Sequence, residues 1–164
     1  MARKAFFSFH YKPDNWRASQ LRQMGALEGN APVSDNDWES ITKGGDAAIE
    51  KWIASQMKGR SCTVVLVGEK TAGRKWITHE VKESWNAGMG VVGICIHNLK
   101  DNAGNQCGCG SSPFDYVTVG GEKLSTIVKL YNPPYTTSSY VYDHIKGNIA
   151  DWIEEAITIR GKYK

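Results

Sequence analysis

Two uninterrupted apolar runs constrain this chain more than any other feature. The first, CTVVLVG, covers residues 62–68, and the second, VVGICIH, covers residues 91–97. Both are rich in β-branched residues, and neither alternates with polar positions. That pattern is typical of strands that are buried on both faces of a parallel sheet. We therefore predict two central parallel strands with helices packed above and below them.

Three segments show the periodicity of amphipathic helices. They cover residues 46–57, residues 73–85 and roughly residues 142–159. Asp46 is the predicted N-cap of the first helix. Gly59 is its predicted stop signal, and Gly88 and Gly90 are predicted to end the second. The positions predicted to face inward are Ile49, Trp52, Ile53 and Met57, then Ile77, Val81 and Trp85, then Ile145, Ile149, Trp152, Ile153, Ala156 and Ile157.

The remaining elements are shorter. KAFFSF (4–9) is a predicted first strand, and Asp14 is the predicted cap of a helix that buries Trp16, Leu21 and Met24 on one face. Residues 25–37 form a predicted loop. Residues 98–123 read as a loop-rich insertion with a short strand in YVTV, and TIVKLY (126–131) as a further strand.

This order of strands and helices predicts an α/β fold, a flavodoxin-like three-layer sandwich with a central, mainly parallel sheet. With 164 residues and no linker or repeat, we expect a single domain over residues 1–164. The net charge of +3 is spread along the chain, so nucleic acid is not an expected partner. We expect no membrane span, and the N-terminus has no signal-peptide layout, so the expected location is cytoplasmic.

The four cysteines do not suggest a disulfide scaffold in a chain of this length. Cys62 and Cys95 lie within apolar runs, where a free thiol acts as a small hydrophobe. Cys107 and Cys109 form CGCG in a segment rich in Gly, Asn and Ser, which we interpret as a flexible loop. A metal site there would need two more soft ligands, because the spacing is not C-x-x-C. We therefore predict no metal ligands, with a redox role as the remaining alternative.

In open parallel sheets, ligands bind beyond the carboxyl ends of the strands, where the strand order reverses. If strands 4–9 and 62–68 are neighbours, their ends bring SFHY (8–11) close to GEKTAGRKW (68–76) and the helix that follows. The predicted crevice is lined by Ser8, His10, Tyr11, Trp76 and Glu80.

Glu80 lies beside the apolar stripe of its helix, and two interpretations are open. It is either a boundary carboxylate paired with Arg74, Lys75 or Lys82, or a carboxylate kept partly dry for chemistry. His10 is similarly open between a structural role and a catalytic one. Ser8 has no G-x-S-x-G elbow around it, which argues against a nucleophile. Trp38 is a candidate to cap the crevice or to anchor its loop.

Five segments in order resemble the TIR-like family, in particular the branch that includes the TIR subunits of bacterial Thoeris anti-phage defence systems. They are AFFSFHY followed by DNWRASQLR, then DWESITKGGDAAIEKWI, CTVVLVGEKTAGRKWITHEV, PFDYV and NIADWIEEAI. The resemblance covers residues 4 to about 157. It implies the same flavodoxin-like fold, and it implies an enzyme that cleaves NAD between nicotinamide and ribose.

The family pattern W-x-x-x-E corresponds here to Trp76 and Glu80, so the resemblance implies Glu80 as the catalytic residue. It implies NAD as substrate rather than cofactor, with Phe7, Ser8, His10, Tyr11, Trp38 and Trp76 as candidates for substrate binding. The expected product is a cyclic or otherwise modified ADP-ribose messenger sensed by a partner effector protein. A phage-derived activator and a homo-oligomer are further expected partners. The alternative is a non-catalytic TIR-like interaction module in which Glu80 is structural, and a redox flavin or nucleotide binder is more remote.

Overall fold

A four-stranded parallel sheet forms the centre of the protein. The computed structural model describes residues 3–29 and 40–163. The strands of this sheet are β1 (Ala5–Phe9), β2 (Cys62–Val67), β3 (Gly90–Cys95) and β6 (Leu130–Tyr131), in the order β1-β2-β3-β6. Two further strands, β4 (Thr118–Val119) and β5 (Glu122–Lys123), form a small antiparallel hairpin. β1 and β2 are neighbours in parallel register, from Ala5 opposite Cys62 to Phe9 opposite Leu66, as predicted.

Helices cover both faces of the sheet. Their bounds are Tyr11–Arg22 for α1, Asp46–Met57 for α2, Lys75–Asn86 for α3 and Ser138–Gly161 for α4. Leu21 of α1 and Ile149 of α4 share one buried cluster with alternate strand residues such as Val64. Val81 of α3 packs in a second cluster with the intervening positions, such as Val65. The predicted flavodoxin-like sandwich is therefore confirmed.

The direction in which the chain leaves each strand creates a crevice. After β1 the chain forms α1 on one face, whereas after β2 it forms α3 on the other. The carboxyl ends of these two neighbouring strands are consequently left uncovered between the helices. A parallel bridge joins Lys4 to Glu28, so the segment that follows α1 returns to the edge of β1 opposite β2. The chain order therefore reverses at β1, and the crevice lies at the carboxyl ends of β1 and β2, where the reversal was expected.

The start of α1 differs from the prediction. The helix begins directly after β1, with His10 as its extended N-cap, and Asp14 lies inside the first turn instead of capping it. The buried positions of α1 are Asp14, Arg17, Ala18 and Leu21. Trp16 falls off this stripe and is 52 % exposed, so its predicted burial is wrong. The reason is that Asp14 and Arg17 neutralise each other across one turn, 2.9 Å apart, and can therefore occupy inward positions.

The start of α2 also differs. Gly45, not Asp46, is the N-cap, and its φ of +84° is accessible to glycine at little cost. Asp46 is the first helical residue, and its carboxylate pairs with the ammonium group of Lys75. The predicted bounds of this helix and the burial of Ile49, Ile53 and Met57 are confirmed.

The predicted strand over 126–131 is shorter than expected. Residues Leu124–Thr126 form a 3₁₀ turn, and only Leu130–Tyr131 pairs with β3. The amide of Val128 donates to the carbonyl of Leu124, which turns the chain and buries both side chains beside Phe114. Gly90, predicted as a stop signal, instead begins β3. No helix within residues 3–29 and 40–163 has the length and apolar character that crossing a membrane requires.

Candidate active site

A cavity of about 610 Å³ opens beside β1, in the crevice between α1 and α3. The end of β1, the first turn of α1, the middle of α2 and residues 70–77 form its walls. This volume lies within the range that is typical of pockets for small molecules and nucleotides.

Glu80 lies at the base of this cavity, and its side chain is nearly removed from water. It is 7 % exposed, and Oε1 accepts a hydrogen bond of 2.7 Å from the hydroxyl of Ser8. Burial raises the pKa of Glu80 to about 8, because a desolvated carboxyl resists ionisation, while the Ser8 hydrogen bond opposes that shift. Among the described residues Glu80 forms no ion pair, so the boundary interpretation with Arg74, Lys75 or Lys82 is not the one observed.

The alternation of side chains along β1 explains the contact between Ser8 and Glu80. Ser8 is the register partner of Val65, and both point to the sheet face that α3 covers. Ser8 is fully buried under α3 and does not line the cavity. The prediction that Ser8 lines the crevice is therefore wrong, because α3 lies directly over it. The Ser8 hydroxyl contacts the Glu80 carboxyl from the side of the sheet and not from the cavity.

The structure brings most of the predicted residues together. Phe7, His10, Tyr11 and Trp76 all line the cavity with Glu80. Trp38 lies outside the described residues. The roles of these side chains in binding stay predictions, but their convergence on one cavity follows from the confirmed pairing of β1 with β2.

Trp76 presents an aromatic surface one helical turn before Glu80. Its ring is partly buried, makes an edge contact with His79 at 5.4 Å between centroids, and lies 4.9 Å from the ammonium of Lys75. Helical spacing of four residues places Trp76 and Glu80 on the same side of α3. The indole and the carboxyl therefore face one space.

His10 lines the same cavity and, within the described part of the chain, has one unsatisfied polar atom. Its Nδ1 is buried and has no hydrogen-bond partner among the described residues. Burial, with a smaller contribution from the positive charges of Arg74 and Lys70, lowers the pKa of His10. The neutral form of the imidazole is therefore favoured, and it adds no charge to the cavity.

The sequence analysis missed the positive lining of the cavity. Five basic side chains contribute to its walls: Lys12, Arg22, Lys70, Arg74 and Lys75. Among the described residues that line it, Glu80 is the sole acid. The guanidinium of Arg22 packs 5.7 Å from the Phe7 ring centroid and 5.5 Å from that of Phe9. The adjacent basic residues Arg74 and Lys75 are the local sequence signal for this lining.

Such a lining attracts anions. Low-dielectric walls that carry charges of one sign concentrate the electrostatic field inside a cleft. A ligand with a diphosphate group satisfies this lining, and a cationic group on the same ligand satisfies the Glu80 carboxylate. The cavity therefore suits a molecule that carries both charges.

Comparison with known proteins identifies the family. The sequence profile of the family described as "Thoeris protein ThsB, TIR-like domain" matches residues 6–101. The chain belongs to this ThsB TIR-like family. The matched segment runs from β1 to just beyond β3, so it contains Glu80, Ser8 and all the cavity-lining residues named above. The resemblance found in the sequence is thus confirmed at the level of the family.

This ThsB family member is similar to a protein from Bacillus cereus (strain MSX-D12). That protein is named "Putative cyclic ADP-D-ribose synthase ThsB1" and is 35 % identical over 122 residues. The alignment covers 71 % of this chain and 64 % of the relative. The chain therefore spans less than two thirds of the relative's length.

Proposed function

We propose that this protein cleaves NAD between nicotinamide and ribose and converts the remainder into a cyclic or otherwise modified ADP-ribose messenger in anti-phage defence. The observation that carries the proposal is the buried Glu80 carboxyl, held by Ser8 at 2.7 Å at the base of a cavity lined by basic residues. The relative's name as a cyclic ADP-ribose synthase supports the same reaction class.

The charges of NAD match the charges of the cavity. The diphosphate is anionic and complements Lys70, Arg74 and their basic neighbours. The nicotinamide ring is a flat cation, for which the Trp76 ring and the Glu80 carboxylate are suitable partners. His10 has an unsatisfied ring nitrogen for a ribose hydroxyl or an amide.

The reaction needs one carboxylate rather than two. The bond between C1′ of ribose and the pyridinium nitrogen breaks, and its electron pair passes to that nitrogen. Nicotinamide leaves neutral, so no general acid has to protonate it, unlike the alkoxide of an ordinary glycoside. The ribose becomes an oxocarbenium-like cation, which the ionised Glu80 stabilises from a low-dielectric position.

The positive charge of the substrate also sets the protonation of Glu80. Burial keeps the carboxyl largely protonated in the unliganded protein at pH 7, because its pKa is about 8. A bound nicotinamide cation favours the ionised form and lowers that pKa. An acceptor hydroxyl, from water or from the ADP-ribose itself, then attacks C1′ and releases its proton to Glu80 or solvent. Intramolecular attack gives a cyclic product.

The proposal includes partners that the chemistry and the family resemblance suggest. The product is the signal to an effector protein, so no direct contact with the effector is needed. A phage-derived activator and assembly with a second copy of the chain are proposed to control the enzyme. NAD is the substrate, and the proposal includes no cofactor for the cleavage itself.

The test is to incubate the purified protein with NAD, with and without extract from phage-infected cells, and to measure nicotinamide and nucleotide products by chromatography and mass spectrometry. Glu80→Gln keeps the size of the side chain and should lower the rate of nicotinamide release by about a hundredfold or more. Glu83→Gln, on the exposed face of α3, is the matched control and should retain activity.

Absence of nicotinamide release from the wild type under every activating condition would contradict the enzyme and would favour the interaction module. Equal loss in both variants would show that Glu80 has no special role. Far-UV circular dichroism of each variant establishes that the fold is retained.

A further inference from the structure

Three potential metal ligands converge at the carboxyl end of β3, away from the cavity described above. Cys95 is the last residue of β3, His97 follows two positions later, and Cys109 returns from the loop of residues 98–112. The thiol sulfurs and one imidazole nitrogen all lie within 4.8 Å of one another. Cys95 and His97 are thus two additional soft ligands close to the CGCG segment, of the kind that a metal site there requires.

Strand geometry explains why Cys95 and His97 point the same way. The amide of Ile96 donates to the carbonyl of Val67, so the extended chain continues past the end of β3. Side chains two residues apart in an extended chain lie on one face. Ile96 accordingly packs in the opposite core cluster, while Cys95 belongs to the cluster under α3.

Backbone hydrogen bonds return the loop to these residues. The amide of Cys107 donates to the carbonyl of His97 at 3.0 Å, and the amide of Asp101 donates to Asn105 at 2.8 Å. The Arg17 guanidinium, which is 3 % exposed, donates to the carbonyls of Leu99 and Asn105. Cys109 is thus carried by a loop whose position is set independently of its thiol.

In the described part of the chain, the imidazole of His97 has an unsatisfied buried nitrogen that a ligand could engage. It is 7 % exposed, and its Nδ1 is buried with no hydrogen-bond partner among the described residues. An unsatisfied buried nitrogen costs free energy, and coordination or a hydrogen bond relieves that cost. A disulfide between the two cysteines would not occupy this histidine, whereas a metal ion would engage all three side chains.

We propose that Cys95, His97 and Cys109 bind a zinc ion. Two thiolates and one imidazole are a ligand set that zinc prefers, and their negative charges balance the charge of the ion. With bond lengths of about 2.3 Å to sulfur and about 2.0 Å to nitrogen, tetrahedral coordination by two sulfurs and one nitrogen needs ligand separations of roughly 3.5–3.8 Å. Small side-chain rotations bring the three atoms from within 4.8 Å to that spacing. Water completes the fourth position.

The site would brace one wall of the cavity. A methyl group added at Gly110 would lie 2.2 Å from the carbonyl oxygen of Gly68, so the loop packs directly against the residues after β2. Those residues lead to Lys70 and Arg74 in the cavity wall. Zinc would therefore hold the loop of Cys109 against the segment that positions these basic side chains.

The experiment measures metal binding by untagged, reduced, metal-free protein. Zinc is titrated against a chromophoric chelator, and cobalt is used as a spectroscopic probe. We expect one zinc ion per chain and, with cobalt, the intense visible bands of tetrahedral thiolate coordination. Zinc should raise Tm because it binds the folded protein. Cys109→Ser and His97→Gln should weaken zinc binding at least roughly tenfold.

Cys107→Ser is the matched control, because Cys107 lies in the same loop but outside the three-residue cluster. It should keep the affinity, the cobalt spectrum and the Tm shift. Zinc binding far below one equivalent in the reduced wild type would overturn the proposal. Equal weakening by Cys107→Ser and Cys109→Ser would overturn the assigned ligand set, and so would a Cys95–Cys109 disulfide in a protein that, once reduced, takes up no metal. These outcomes are independent of NAD cleavage.

Discussion

The hydroxyl of Ser8 donates a hydrogen bond of 2.7 Å to the carboxyl of Glu80, across 72 positions of the chain. The contact joins the fully buried underside of β1 to the second turn of α3. Burial raises the pKa of Glu80 to about 8, and this hydrogen bond opposes that shift. Under the proposed function Ser8 is a positioning residue, because its hydroxyl contacts the Glu80 carboxyl and does not line the cavity.

Removal of this hydroxyl should slow NAD cleavage in a manner that depends on pH. In Ser8→Ala the pKa of Glu80 rises further, so less of the carboxyl is ionised at pH 7. We expect kcat/KM at pH 7 to fall about tenfold or more, as is typical for loss of a hydrogen bond to a charged group, and to recover partly at higher pH. Ser84→Ala is the control, since the buried Ser84 hydroxyl contacts the backbone carbonyl of Glu80 and the side chains of Thr63 and Met57, but not the Glu80 carboxyl. A pH profile that does not move in Ser8→Ala would contradict the positioning role.

Under the proposed mechanism, NAD cleavage by the wild-type protein should become faster with increasing pH. The reacting form of Glu80 is ionised, and the free-enzyme pKa is about 8, so kcat/KM should rise through that pH. The inflection in kcat should lie lower, because the cationic substrate favours the ionised carboxyl in the complex. Steady-state kinetics between pH 6 and about 9.5 measures both. A flat profile across this range would mean that Glu80 does not titrate there.

Replacement of Glu80 should stabilise the fold at alkaline pH. The folded-state pKa of about 8 lies above the unfolded value of 4.5, so the folded protein holds a proton that the unfolded chain releases between these values. Stability contributed by the protonated carboxyl is complete below pH 4.5 and is lost as pH rises towards 8. The unfolding free energy of Glu80→Gln relative to wild type should therefore increase over this window, by on the order of a few kcal/mol. Urea unfolding at several pH values measures it, and a constant difference would contradict the buried titration.

The basic lining should act on substrate binding more than on bond cleavage. Lys70→Ala or Arg74→Gln should raise KM for NAD about three- to tenfold with a smaller change in kcat, because in the proposed complex each charge attracts the diphosphate equally before and during reaction. Added salt should reduce the difference from wild type. Lys82→Ala, which removes an exposed charge from α3 outside the cavity, is the control. An effect on kcat alone would place these residues in a different role.

Truncation of Arg17 should strongly destabilise the protein. Its guanidinium pairs with buried Asp14 at 2.9 Å and also donates hydrogen bonds to the backbone carbonyls of Leu99 and Asn105. Arg17→Met leaves the Asp14 carboxylate buried without its partner, with an expected cost of about 3–5 kcal/mol in urea unfolding. The double variant Asp14→Asn with Arg17→Met should recover part of that loss, since the uncompensated charge is removed. No recovery would show that the hydrogen bonds to the loop carry the whole effect.

The sequence by itself determined the central strands, the bounds of α2, the inward face of α3 and the meeting of His10, Tyr11, Trp76 and Glu80 at one crevice. Periodicity encodes these features locally, because burial of one helix or strand face is written into neighbouring residues. Only the tertiary structure decided that Ser8 lies behind Glu80, that Asp14 and Arg17 are buried while Trp16 is exposed, and that Cys95, His97 and Cys109 converge. Each of these depends on which distant element packs opposite a given face. Charge pairing, desolvation and ligand geometry arise from that packing, so no local pattern can specify them.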